Sequence, residues 1–325
     1  MYNLSLTACS FHLKVKNSKS VDKIFPINSE IRVKDTDSNP IIFKNAQELF
    51  ELFFQAHTEM LEDPSRKMTF SCDDSFFKVS EQPQFTVLRA RIDSGVYGSS
   101  SDILDGKTKE KKWSKTVTDI ELRPFYLYII LPKDSERISV NKGMFLFQNE
   151  GIYGIKTITT ENMQRFFSNN FGISLVCRTI SHDLFLRKIV TQESLKKMIL
   201  IKNHTSYDRA DTGRFGYGKE VRTIANLTFG AGSWQSIQDK FFAFMGNRYS
   251  LFEFEGTDYD SLKLNVSIGG RERTIDLHNL EHLSIIEGIP DDVQMADGHP
   301  NLDKLDQHMT TVAGEYLSEM ALEIR

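Results

Sequence analysis

Cysteine is scarce in this chain, and long apolar runs and catalytic signatures are missing. The three cysteines, Cys9, Cys72 and Cys177, are an odd number with no short spacing among them. That speaks against a disulfide framework and against a zinc knuckle, and a reducing cytoplasm is the simplest home. No apolar run reaches the ~18 residues that a membrane-crossing helix needs, so no membrane insertion is expected. The opening MYNLSLTACSFHLKVKN has no basic segment followed by an apolar one, and it reads as a first strand rather than a secretory leader.

Catalytic motifs are equally absent: there is no GxSxG, no P-loop, no dinucleotide fingerprint and no set of kinase motifs. His278 and His282 stand four apart, but HNLEH lacks a third ligand nearby and the glutamate of a zinc hydrolase, so no metal site is expected. Glu110 and Lys112 match the last part of a metal-dependent nuclease pattern, yet their all-polar flanks offer no apolar strand to fix a carboxylate. Arg178 and His182 are spaced RxxxH, one residue short of the RxxxxH of a helical ribonuclease class. Cys177 and His182-Asp183 are close in sequence only. No residue is assigned to catalysis and no cofactor is expected; a metal-dependent nuclease is the third of the functional readings.

What is present is a globular composition. With 325 residues, 40% apolar, and 24 phenylalanines, there is material for two packed cores and none of the signature of disorder. The fold class expected is α+β, in two domains of residues 1–169 and 170–325, each a mixed or antiparallel sheet with a few packed helices. The best-specified stretch runs from Val87 to Ile158. It reads as a strand Val87–Ile92, a Gly/Ser turn, a basic excursion, a strand Phe125–Leu131, and a hairpin of Met144–Gln148 with Ile152–Ile158. FYLYIIL is apolar without a break, as an interior strand covered on both faces would be.

Around this centre, Leu4–Val15 and Ile31–Val33 read as strands. Asn45 caps a helix Ala46–Leu61 that Asp63-Pro64 stops. Lys67–Phe70 and Phe76–Val79 are short extended pieces, and Thr160–Phe167 is a helix. Phe171–Thr179 follows, then a helix around His182–Val190 and a stretch capped by Thr191 that runs through Lys202. A helix Gln235–Met245 precedes a meander of Arg248–Glu255, Ser261–Ile268 and Arg271–Asp276, in which Leu262, Leu264, Val266 and Ile268 alternate. A terminal amphipathic helix, Leu302–Ile324, docks either on its own domain or on a second subunit.

Charge is segregated. Ten Lys/Arg face five acids between Arg178 and Arg222, whereas residues 276–325 hold eleven acids and two bases. A basic middle beside an acidic tail fits an anionic ligand, tail-to-middle pairing between subunits, or a protein that merely stays soluble. Two segments mix bases with aromatics, the combination that neutralises phosphates while a ring stacks on a base. One is a glycine-rich arm with Arg209, Arg214, Phe215, Tyr217, Lys219 and Arg222. The other is a tip with Lys107, Lys109, Lys111, Lys112 and Lys115 around Trp113, whose Asp105-Gly106 also suits a solvated hairpin end. Gly95 and Gly98, which bracket Tyr97, read either as a turn or as a phosphate cradle.

The layout FYLYIILPK, GMFLFQNEGIYGIKT, a helix, and a late meander GTDYDSLKLNVSIGG before a terminal helix resembles the RexA family of bacteriophage lambda exclusion proteins and similar prophage-borne defence proteins. The resemblance implies a dimeric DNA-binding protein that acts in abortive phage exclusion, with a membrane or second protein partner. The leading functional reading is therefore a cytoplasmic, homodimeric nucleic-acid-binding protein, DNA favoured, of an anti-phage or prophage system. The alternative is a defence-associated sensor or scaffold that binds a phage or host protein through its acidic C-terminal region.

Overall fold

The computed structural model describes residues 4–18, 23–134, 140–151, 153–179, 195–204, 221–228, 241, 252–259, 261–268, 271–276, 285–295 and 297–320. It is an α+β chain that falls into two compact units, residues 1–178 with 289–325, and residues 179–288. The terminal helix thus groups with the first unit, where the sequence reading had put it in the second half. Helical periodicity shows that a helix buries one face; it does not say which sheet covers that face.

The first unit contains β1 (Leu4–Val15), β2 (Ile31–Lys34), β3 (Pro40–Phe43), α1 (Ala46–Gln55), β4 (Leu61–Asp63), β5 (Met68–Glu81) and β6 (Phe85–Val96). It continues with β7 (Ser101–Leu104), β8 (Lys111–Lys115), β9 (Glu121–Pro132), β10 (Gly143–Glu150), β11 (Tyr153–Gly154), α2 (Lys156–Phe171) and β12 (Ile173–Thr179), and ends in α3 (Leu302–Met320). Its main sheet runs β12-β1-β10-β9-β6-β5-β4. The strands expected at Val87–Ile92, Phe125–Leu131 and Met144–Gln148 are observed: β9 lies between β6 and β10, antiparallel to both, and every residue from Phe125 to Leu131 is buried. The hairpin arm expected at Ile152–Ile158 is only the two-residue β11, because the chain turns into α2 at Lys156.

Alternation along these strands sends successive side chains to opposite faces of the sheet. Leu88, Ala90, Ile92, Leu127, Ile129, Phe145, Phe147, Cys9 and Phe11 point into a core shared with Leu49, Phe50 and Phe53 of α1 and Ile158, Met163 and Phe167 of α2. Phenylalanine dominates it. Phe145 stacks on Phe11 with centroids 4.2 Å apart, and Phe50 meets both rings edge-on at 5.8 and 5.4 Å. The opposite face carries Arg89, Arg91, Tyr126 and Tyr128, and α3 is joined to it through Asp306.

Local chemistry explains where elements begin and end. Asn45 Oδ1 accepts from the Glu48 N–H at 3.2 Å, and Glu48 Oε2 accepts from the Lys44 N–H at 2.6 Å, so both unpaired amides are met at the start of α1. The helix stops at Gln55, six residues short of the expectation and well before Asp63-Pro64. The His57 ring folds onto Phe53 at 4.2 Å and its carbonyl accepts from Cys72 N at 2.7 Å, turning the chain into the sheet. The two short pieces expected at 67–79 are one strand, β5, with an irregularity between Asp73 and Lys78. α2 starts at Lys156, ahead of the expected Thr160, behind an Ile155 that supplies no side-chain cap.

Gly95 lies within β6, where a Cβ would sit 2.6 Å from the Glu121 carbonyl oxygen. Gly98 follows at φ +90°. The Gly98 N–H donates to Val117 O and the Tyr97 N–H to Lys67 O. With both amides engaged, this segment is a turn and not a phosphate cradle.

In the second unit β13 (Leu195–His204), β14 (Val221–Thr228), β17 (Ser261–Ile268) and β18 (Arg271–Asp276) form an antiparallel sheet in the order β14-β13-β17-β18, beside a hairpin of β15 (Phe252–Phe254) and β16 (Thr257–Tyr259). The stretch that Thr191 was expected to cap is thus a strand from Leu195, in which Met198 and Leu200 are buried on a two-residue period. Leu262 and Leu264 are buried as their alternation requires. The helix expected around His182–Val190 lies outside the described residues. So does that at Gln235–Met245, apart from Phe241.

Candidate functional site

The lysine tip is a two-stranded ribbon. β7 and β8 pair only with each other, with Ser101 opposite Lys115, Asp102 opposite Ser114 and Ile103 opposite Trp113. Every residue of Ser101–Leu104 and Lys111–Ser114 is exposed. The root is pinned by Lys115, 7% exposed, whose Nζ donates to Val96 O and stands 4.0 Å from Glu121.

Asp105 organises the tip. Its carboxylate accepts from the N–H groups of Lys107 and Thr108 at 2.8 and 3.0 Å, as Asp does where a chain must turn. Its backbone closes the loop: the Asp105 N–H donates to Glu110 O and Asp105 O accepts from the Lys109 N–H. A bulge follows, because Leu104 pairs with Lys111 while Ile103 pairs with Trp113, leaving Lys112 as the extra residue. This brings Lys111 to the Asp102 side of the ribbon, where Nζ and Oδ1 are 2.7 Å apart. Lys112 Nζ lies 2.7 Å from Asp105 Oδ2.

These contacts hold both carboxyls below the ordinary range. Lys111, then Ser114, lowers Asp102, and Lys112, then the Thr108 and Lys107 amides, lowers Asp105. Lys109 Nζ donates to Gly106 O at 2.6 Å. Lys107 is the ribbon lysine whose side chain has no partner among the described residues. On the other side, Trp113, 51% exposed, and Ile103, 46% exposed, form a bare cross-strand pair with Leu104 and Val117 exposed nearby. The ribbon therefore offers an accessible indole and exposed ammonium groups whose present partners are weak, water-screened ion pairs.

Of the residues singled out in the sequence, Lys107, Lys109, Lys111, Lys112 and Trp113 are brought together here. Arg209, Arg214, Phe215, Tyr217 and Lys219 lie outside the described residues. Arg222 is not on a loop: it lies in β14, opposite Asn203. His278, His282 and His182 also lie outside the described residues. No group of three or more His, Cys, Asp or Glu placed to hold a metal occurs among the described residues. No helix among them is long and apolar enough to cross a membrane.

A second polar constellation was not anticipated. Asp306, in the second turn of α3, accepts from Tyr128 OH at 2.7 Å and from Arg89 Nη1 at 2.8 Å, with Lys78 Nζ at 3.3 Å. Burial and the adjacent Asp306 charge push the Tyr128 phenol up. Arg91 lies beside, 2.9 Å from Asp93 and 4.8 Å over the Phe76 ring. The hint was the alternation VLRARID, which puts two arginines on one face of a strand and Leu88, Ala90 and Ile92 on the other. Its partner, Asp306, is more than two hundred residues away, beyond any local pattern.

No family model, no curated protein and no solved structure matches this chain.

Proposed function

We propose that this chain binds nucleic acid, DNA favoured, through the β7–β8 ribbon, and works in an anti-phage defence or prophage exclusion system. The observation that carries the binding is the ribbon itself: an exposed Trp113 on a projecting two-stranded element with five lysines and three acids between Ser101 and Lys115. A ribbon of two strands fits the DNA major groove, and an exposed indole stacks on unpaired bases. Lys111 and Lys112 are held by carboxylates that water screens, so a phosphodiester replaces those partners at small cost. The phage-exclusion setting rests on the resemblance of the sequence layout to the RexA family, and homodimerisation in a cytoplasmic protein belongs to the same proposal.

The test is filter binding of the pure protein to duplex and single-stranded DNA across a salt series. Binding at ~50 mM salt is expected, with the slope of log K against log salt falling by about one unit for each phosphate-contacting lysine replaced by alanine. Absence of binding to either form under those conditions sinks the proposal.

One observation favours a second reading. Ile103, Leu104 and Val117 are exposed and apolar and give a polyanion nothing to pair with. A phage, host or second defence protein docking on the ribbon would cover them. Retained binding of a co-purifying protein after Lys107, Lys111 and Lys112 are all replaced by alanine, with loss on Trp113→Ala, selects this reading.

A further inference from the structure

Cys9 and Cys177, 168 positions apart in sequence, are neighbours in space. β1 and β12 are adjacent strands of the main sheet. The Lys16 N–H donates to Gly172 O at 2.8 Å and Ser10 Oγ donates to Arg178 O at 3.3 Å, so the two strands run in opposite directions. That alignment puts Cys9 and Cys177 diagonally across the strand pair, on the face covered by α1 and α2. Cys9 is fully buried, whereas Cys177 is partly exposed and lines an open groove of about 480 Å³ with Thr160, Arg165, Ser168 and Leu175. One thiol is reachable from solvent and the other stands directly behind it.

We propose that Cys9 and Cys177 form a redox-active dithiol that closes to a cross-strand disulfide on reaction with a small-molecule disulfide entering the groove beside α2. Cys177, with Lys156 nearby, holds the Cys9 thiol below its ordinary value, while Cys9 and burial push the Cys177 thiol up, so the proton the pair shares rests on Cys177. In the first step Cys177 passes its proton to Cys9 and its sulfur attacks one sulfur of the oxidant; that S–S bond breaks and one half leaves as a thiolate, which takes the proton from Cys9 and departs as a thiol. Cys9 then attacks the Cys177 sulfur, the Cys9–Cys177 bond forms, and the second thiol leaves. Two cysteine sulfurs lose two electrons in all, and the oxidant gains them as two thiols. The groove wall carries Arg165 beside Glu161, whose carboxylate is already bound by Arg66, so the Arg165 guanidinium can meet an oxidant bearing carboxylates. Cys72 is a built-in control, since it is buried on β5 and is not among the residues lining the groove.

The experiment treats the full, reduced chain under native conditions with oxidised glutathione, then blocks free thiols with iodoacetamide and maps them by peptide mass spectrometry. Expected is the loss of two alkylatable thiols, a Cys9–Cys177 cross-linked peptide pair, and no retained glutathione. Cys9→Ser should trap glutathione on Cys177, and Cys177→Ser should leave Cys9 unreactive. Glutathione persisting on Cys177 of the unsubstituted chain, Cys9 reacting in Cys177→Ser, Cys72 reacting as fast as the pair, or no reaction at all would each overturn the proposal.

Discussion

The Tyr128 hydroxyl donates to Asp306 Oδ1 at 2.7 Å, joining the most buried strand of the sheet to the last helix of the chain. Arg89 reaches the other carboxylate oxygen, and its buried Nε has no hydrogen-bond partner among the described residues. The guanidinium, 13% exposed, thus relies on Asp306 for most of its compensation.

Removing that carboxylate should cost more than a surface ion pair does. Asp306→Ala leaves a largely buried cation and a buried hydroxyl unpaired, and about 2–4 kcal/mol of stability is expected to go. Urea unfolding would show a lowered midpoint with an unchanged slope. Asp306→Asn, which keeps an acceptor for Tyr128, should lose less; equal loss in the two variants would show that the hydroxyl bond contributes nothing.

The phenylalanine cluster predicts a larger effect. Phe145 is stacked on Phe11 and met edge-on by Phe50, so Phe145→Ala opens a cavity lined by rigid rings. About 3–5 kcal/mol is expected, and Phe145→Leu should recover part of it. A cost under about 1 kcal/mol in a calorimetric melt would mean that the sheet and α1 collapse to fill the space.

Charge removal at the ribbon should strengthen polyanion binding rather than weaken it. Asp102→Asn releases Lys111, and Asp105→Asn releases Lys112 while its amide oxygen still accepts from Lys107 and Thr108. Both variants should bind DNA more tightly at low salt, with the salt slope steepened by up to about one unit each. An unchanged slope would place these lysines outside the contact surface.

The same carboxylates set a pH window. Asp102 and Asp105 are held below their ordinary values in the folded chain, so the contribution of their contacts is complete above the unfolded carboxylate range, near pH 4. It is lost as pH falls through the depressed folded values. The Lys107 and Thr108 amide resonances, which report the hydrogen bonds to Asp105, should hold still from pH 7 to about 5 and move only below about 4. Movement between pH 5 and 7 would contradict the assignment.

Much of the main sheet could be read in advance because its signals are local. An unbroken apolar FYLYIIL belongs to a strand covered on both sides, and Asn45 before an apolar stretch belongs at a helix start. Misreadings arose where a distant group overrode the local pattern. α1 ends early because His57 is captured by Phe53 and Cys72, and α2 begins before any capping residue announces it. The ribbon was legible as a lysine-bearing hairpin. Its ion pairs were not, because the bulge at Lys112 decides which carboxylate each ammonium meets.

The order of apolar and polar residues was enough to determine the central strands and the aromatic core, since each follows from periodicity over a few residues. Only the tertiary structure decided that α3 groups with the first unit, that Asp306 answers Arg89 and Tyr128, and that Cys9 and Cys177 come to neighbouring strands. Those relations join residues far apart in the chain, and they depend on the order in which strands pair, which is a property of the whole sheet.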